Sequence, residues 1–275
     1  SGEKMDNFEE NEPQNPVESG QQIEELNHSD KMIGVFTEPS NMFKITSYFP
    51  VRTKDWLIPI LIVFALVGIV RSISMMNEEV FFEAKQQQIK GIEKMVESGT
   101  IPKDQEDAMI ERVNQQMEYM RGPVGWILNI VSTLIFGSIF FFIIAAIYFL
   151  LVKLVLKGDG TYQHVLVASG LSVYITIIQV ILTGILTLML GKIFQDTSVA
   201  AIMGVERSTL TGFFLAKLDP ISIWAYAVLS IGLAKLFKAD DVKNYYLVVF
   251  GLWILGSLLF FYIAKAVPFL SAFAG

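Results

Sequence analysis

Ser169, Ser172, Thr176, Gln179, Thr183 and Thr187 recur every three or four residues inside a stretch, 165–190, that carries no charged side chain. On a helix this spacing puts them on one face. A row of hydroxyls with one amide can do two kinds of chemistry there. It can hydrogen-bond to neighbouring helices, with Thr183, Thr187 and Gly191 at small-xxx-small spacing admitting a close partner. It can also line a path for a solute or a lipid. The stretch holds no acid that could couple protons or sodium. Interhelical packing through Ser172, Thr176, Gln179, Thr183 and Thr187 is therefore the preferred reading, and transport or lipid handling is the alternative.

Other chemistries find little to work with. The chain has no cysteine, so disulfides, thiolate ligands and thiol nucleophiles are excluded. His28 and His164 lie in separate polar segments with no carboxylate set placed nearby, and both read as exposed loop residues rather than metal ligands. Gly158-Asp159-Gly160 lacks the Lys-Ser/Thr of a phosphate loop and reads as a tight turn. No Ser–His–Asp set can be assembled around His164, and Asp240-Asp241 is a pair in a turn. The expectation is no catalytic residue, no metal, no cofactor and no enzyme activity.

The elements that must hold the polar row are membrane spans. Of 275 residues, 53% are hydrophobic and only 17% charged, with a mean hydropathy of +0.50. Soluble domains carry about 25% charge. Apolar runs at about 56–76, 124–156, 165–190, 220–237 and 245–264 approach or exceed the roughly 20 residues a helix needs to cross hydrocarbon. The fold expected is all-α, an integral membrane bundle of five transmembrane helices. Arg71 lies near the far end of the first span and reads as a snorkelling side chain. Net charge of −6 lacks the basic face that nucleic-acid binding requires.

Between the first two spans, residues 77–121 read as a helical hairpin. Phe82, Ile89, Ile92 and Val96 on one arm and Ile110, Val113 and Met117 on the other follow three- and four-residue steps. Ser98-Gly99-Thr100-Ile101-Pro102 supplies the turn. Phe81, beside Phe82, cannot share so narrow a seam and is expected to form an exposed aromatic surface. Phe81, Phe82, Ile89, Ile92, Val96, Ile110, Val113 and Met117 are the candidate partner-binding set. No proline separates the first span from the first arm, so one helix is expected to continue between them, whereas Gly122-Pro123 breaks the second arm from the second span.

Residues 1–31 read as a disordered acidic tail that opens on an expression remnant, Ser1-Gly2, and holds nine acids between Glu3 and Asp30 against Lys4. Met42, Phe43, Ile45 and Phe49 after Pro39 read as a short amphipathic helix on the membrane surface. Residues 266–275 form a short C-terminal tail. Lys44, Arg52, Lys54, Lys153, Lys157, Lys235, Lys238 and Lys243 all flank one side of the bundle. That side is then cytoplasmic, with the N-terminus inside, the hairpin extracytoplasmic and the C-terminus outside.

Phe36-Thr-Glu-Pro39 with Phe43 and Pro50, then Gly158-Asp-Gly160-Thr-Tyr162, then Leu218-Asp-Pro-Ile-Ser-Ile-Trp224 running into Ile231-Gly232-Leu233, are similar in order and spacing to the Ypt-interacting-protein (Yip) domain family in its prokaryotic form. The resemblance covers residues 32–265. It implies a five-span bundle with a cytoplasmic N-terminus and no enzyme. Eukaryotic members act in vesicle traffic and bind Rab-type GTPases. This chain lacks their Asp-Leu-Tyr-Gly-Pro sequence and has Gly170-Leu171 in place of their Gly-Tyr, so GTPase binding is not carried over. Some bacterial relatives look like accessory subunits of MacB-type ABC exporters. The resemblance thus implies a scaffold or accessory subunit in a bacterial inner membrane, in contact with lipids and with exporter subunits and their periplasmic adaptor.

Overall fold

The structure is a computed structural model that describes residues 17–18 and 21–266. Most of the acidic tail and nearly all of the C-terminal tail lie outside the described residues. Apart from a two-residue antiparallel pairing of Val17–Glu18 with Gln21–Gln22, the described elements are helical.

The first helices lie outside the spans. α1 (His28–Thr37) is capped by the Asn27 side chain, which accepts from the Asp30 amide, and α2 (Pro39–Thr46) starts on Pro39, whose missing N–H costs nothing at a helix start. α1 thus begins inside the segment expected to be a disordered tail. The apolar side of α2 turns to protein rather than to lipid. Met42 and Phe43 are buried, with Phe43 packed over Gly232.

Four helices are each long and apolar enough to cross a membrane: α3 (Lys54–Ser74), α6 (Pro123–Leu154), α7 (Tyr162–Leu190) and α11 (Lys243–Ala266), the last with a π-turn at Leu252–Gly256. A bent pair, α9 (Leu210–Lys217) and α10 (Pro220–Leu236), meets the same test only when its two pieces are taken together across a 60° bend. Five runs in sequence therefore become four unbroken spans and one broken or re-entrant segment. α8 (Val199–Met203) is a single short turn before it.

α7 is the centre of the bundle, packing on α3 and α10. Gly170 sits on the backbone of Trp56, and fourteen residues further along both helices Gly184 sits on Val70. Equal steps in the same direction mean that α3 and α7 run parallel. α6 runs back against α3, with Gly68 against the Ile130 backbone and Gly137 against the Phe64 ring.

The hairpin is present as α4 (Glu78–Glu97) and α5 (Glu106–Arg121), joined through Gly99 at φ +72° and a 3-10 turn at Lys103–Gln105. Two expectations change here. α3 does not continue into α4, because the Asn77 side chain accepts from the amides of Glu79 and Val80 and starts a new helix. The aromatic pair is also reversed. Phe81 is 7% exposed beneath the Arg121 guanidinium, 4.5 Å from its ring centre, and Phe82 is 62% exposed.

Candidate functional site

The polar face of α7 is used in two ways. Several hydroxyls bond locally: Ser172 Oγ donates to the Ala168 carbonyl at 2.7 Å and Thr183 Oγ1 to the Gln179 carbonyl at 2.9 Å, while Thr187 Oγ1 accepts from the Phe194 amide. Gln179 reaches further. Its Nε2 donates to Asp219, the residue that caps α10, and to Ser222 Oγ at 3.4 Å. The acid missing from the α7 sequence is therefore supplied by another helix. Asp219 is 1% exposed and also accepts from Thr197 Oγ1 at 2.6 Å, Ser222 Oγ at 2.8 Å and the Ile221 amide at 3.1 Å. A carboxylate with donors on both oxygens is a satisfied structural acceptor. Gln179→Leu removes one of these donors and is expected to cost about 1 kcal/mol of bundle stability, read by thermal unfolding in detergent.

Two cavities flank the same face of α7 and share no lining residue. One, of about 570 Å³ between α6, α7, α10 and α11, takes in Ser169, Ser172, Thr176 and Gln179, and Ser169 Oγ is buried without a hydrogen-bond partner. The other, of about 780 Å³, lies between α3, α7 and the hairpin and takes in Thr183 and Thr187.

A second polar cluster had no forecast. Lys31 and Asp55, both 1% exposed, form an ion pair at 2.5 Å. His28 Nδ1 donates to the other oxygen of Asp55 at 3.0 Å, which leaves Nε2 to accept the Tyr174 hydroxyl proton at 2.8 Å in the neutral ring. Both histidines depart from the exposed-loop expectation. His164 lies in the first turn of α7 and accepts from the Thr161 amide, closing a capping box. The only local signals for the first cluster are Asn27 as a cap and Asp55 in the first turn of α3. Neither tells which distant residues meet.

In the loop after α7, Arg207 grips Asp196 with two hydrogen bonds of 2.8 Å. Burial opposes the Asp196 charge, but the bonds from Arg207 and Ser198 outweigh it and hold the carboxyl below its ordinary range. The stability from this pair is present above the usual carboxylate pKa and fades as pH falls through the lowered one.

The hairpin residues expected to meet a partner mostly meet each other or the bundle. Phe81, Ile92 and Met117 are buried, Ile89, Val96, Ile110 and Val113 are half-buried, and Phe82 alone of the set is exposed. Among the described residues, no three His, Asp or Glu side chains converge as metal ligands.

The segments carrying the sequence resemblance pack along α10. Phe36 meets Trp224 edge-on at 5.8 Å, Phe43 covers Gly232, and Gly158 and Gly160 lie against the Phe237 ring. A side chain at Gly160 would place its Cβ 2.6 Å from that ring. A family model described as the Yip1 domain matches residues 33–263. The chain belongs to the Yip1 domain family. No curated protein and no solved structure matches it. In this Yip1 domain the motifs thus act as packing contacts that lock α1, α2 and the 158–160 turn onto α10.

Proposed function

We propose that this Yip1 domain protein is a non-enzymatic membrane scaffold, whose hairpin presents a fixed surface to a partner complex. The observation that carries this reading is the bracing of the hairpin. Glu83 accepts from the Ile193 amide at 2.8 Å, and Arg121 pairs with Glu78 at 2.5 Å while covering Phe81. An insertion needed only to connect two spans would require a few residues and no fixed orientation. Its outer face offers Phe82 with Lys90, Glu93 and Glu111. The partner is a MacB-type ABC exporter with its periplasmic adaptor, the class raised by the family resemblance. The membrane is a bacterial inner membrane with the N-terminus cytoplasmic, which puts the hairpin outside.

Because the natural residues include no cysteine, Ser98→Cys creates a unique thiol at the exposed hairpin turn. In intact cells an impermeant thiol reagent should modify it, and a thiol-directed crosslinker should join it to the adaptor. Replacing Phe82, Lys90, Glu93 and Glu111 with serine should abolish copurification of exporter and adaptor without lowering the thermal midpoint. Unchanged copurification would overturn the docking role, and shielding of the thiol would overturn the orientation.

A second reading, transport or lipid handling along the polar face of α7, is favoured by the 570 Å³ cavity and the unpartnered Ser169 hydroxyl. The donors that saturate Asp219 weigh against ion coupling there.

A further inference from the structure

The larger cavity combines an apolar wall with polar groups that include Ser74, Gln87 and Gln88. Its walls are Val67 and Val70 of α3, Ile92 of α4, Val113 of α5 and Val180 of α7, with the adaptable Met95 and Met109 beside them. Its volume of about 780 Å³ falls within the span of small-ligand sites, about 300–1,000 Å³. One charged side chain lines it, Arg71. Arg71 is exposed and makes no ion pair among the described residues. The acids nearest in sequence on α4 are engaged elsewhere: Glu83 accepts from the Ile193 amide, and Glu79 lies against Gly191.

Position adds to composition. Arg71 lies in the last turn of α3, about 25 Å from its start at 1.5 Å per residue, where hydrocarbon gives way to headgroups. Arg71 is itself exposed, and on α7 Leu188, one turn after the lining residue Gly184, is exposed as lipid-facing residues are, so the cavity adjoins the bilayer at that level. An unpaired guanidinium there, with an apolar chamber beneath a protein roof, matches a molecule that joins an anionic oxygen-rich head to a hydrocarbon tail. A planar guanidinium binds phosphate with two parallel hydrogen bonds.

We propose that the cavity roofed by α4 and α5 binds one anionic glycerophospholipid from the surrounding bilayer, its phosphate held by Arg71 and an acyl chain against the valine and methionine walls. The site is separate from the outer face of the hairpin and does not depend on the docking reading. Its occupant fills the space between hairpin and spans.

Native mass spectrometry of the full chain with phosphatidylglycerol or phosphatidylcholine of identical chains tests this. The wild type should retain one phosphatidylglycerol with about fivefold preference, the scale of one lysine or arginine acting on an anionic lipid. Arg71→Gln should reduce that to the phosphatidylcholine level with an unchanged thermal midpoint, whereas Lys192→Gln, exposed and outside the lining, should leave it intact. Val113→Trp, which fills the chamber from α5, should lower retention of both lipids. Equal retention of the two lipids by wild type, or equal loss in the Arg71 and Lys192 variants, would overturn the site. Displacement by millimolar inorganic phosphate would reassign it to a free anion, and retention of oleate as strong as phosphatidylglycerol would reassign it to a fatty acid. Either outcome overturns the glycerophospholipid assignment. Copurification of the exporter partner by Arg71→Gln should be unaffected, so failure of either proposal is seen separately.

Discussion

Asp55→Ala is expected to destabilise the bundle more than any other single change described above, by about 3–5 kcal/mol, because it leaves the Lys31 ammonium buried without its counter-charge. It also frees His28 Nδ1 and removes both the Lys31 and the His28 contact that tie α1 to the start of α3. The cost arises from stranding a charge rather than from losing an attraction. The double variant Lys31→Met/Asp55→Leu should therefore recover most of the lost stability, since a buried pair replaced by apolar residues of similar size is often neutral. Thermal unfolding in detergent, followed by loss of the monodisperse peak on size exclusion, reads both variants. A double variant as unstable as Asp55→Ala would mean that the cluster is held by more than its charges.

Gly170→Val should act nearly as strongly, by forcing apart the parallel pair α3 and α7. A Cβ at position 170 would lie 2.4 Å from Trp56 Cα and 2.6 Å from its Cβ, and backbone cannot swing aside as a side-chain tip can. Overpacking at such a contact costs about 1–3 kcal/mol or more. Gly91→Ala is the matched contrast. Nothing lies within 4 Å of a Cβ there, and alanine should stabilise α4 by about 0.5–1 kcal/mol. The same melts should thus move in opposite directions, and a wild-type midpoint for Gly170→Val would refute the close crossing.

The spans were legible because run length and the absence of charge are properties of one segment at a time. The hairpin was legible for a similar reason, through Gly99, Pro102 and the steps from Ile89 to Met117. Its phase was not. Phe81 and Phe82 differ by one position, and only the neighbours, Arg121 above Phe81 and the exit from α3 below, decide which one turns inward. Asn77 before Glu78-Glu79 was a cap signal that could have revealed the break after α3. The Lys31–Asp55–His28–Tyr174 cluster had no such local mark, because its members come from α1, α3 and α7 and owe their meaning to burial. Asp219 before Pro220 is a cap signal, but a cap motif cannot tell that Gln179 will also reach it.

The helices that face lipid differ in height. α6 has 32 residues and rises about 48 Å, while α10 has 17 and rises about 25 Å before the chain bends away at Leu218 and Asp219. Leu218, Ile223 and Trp224 on that shorter wall remain exposed. A fluid sheet with one preferred thickness cannot match both walls, and each ångström of mismatch costs a fraction of a kcal/mol. At about 25 Å α10 falls short of a hydrocarbon core of about 30 Å, so a bilayer around this protein is expected to thin on the α10 flank.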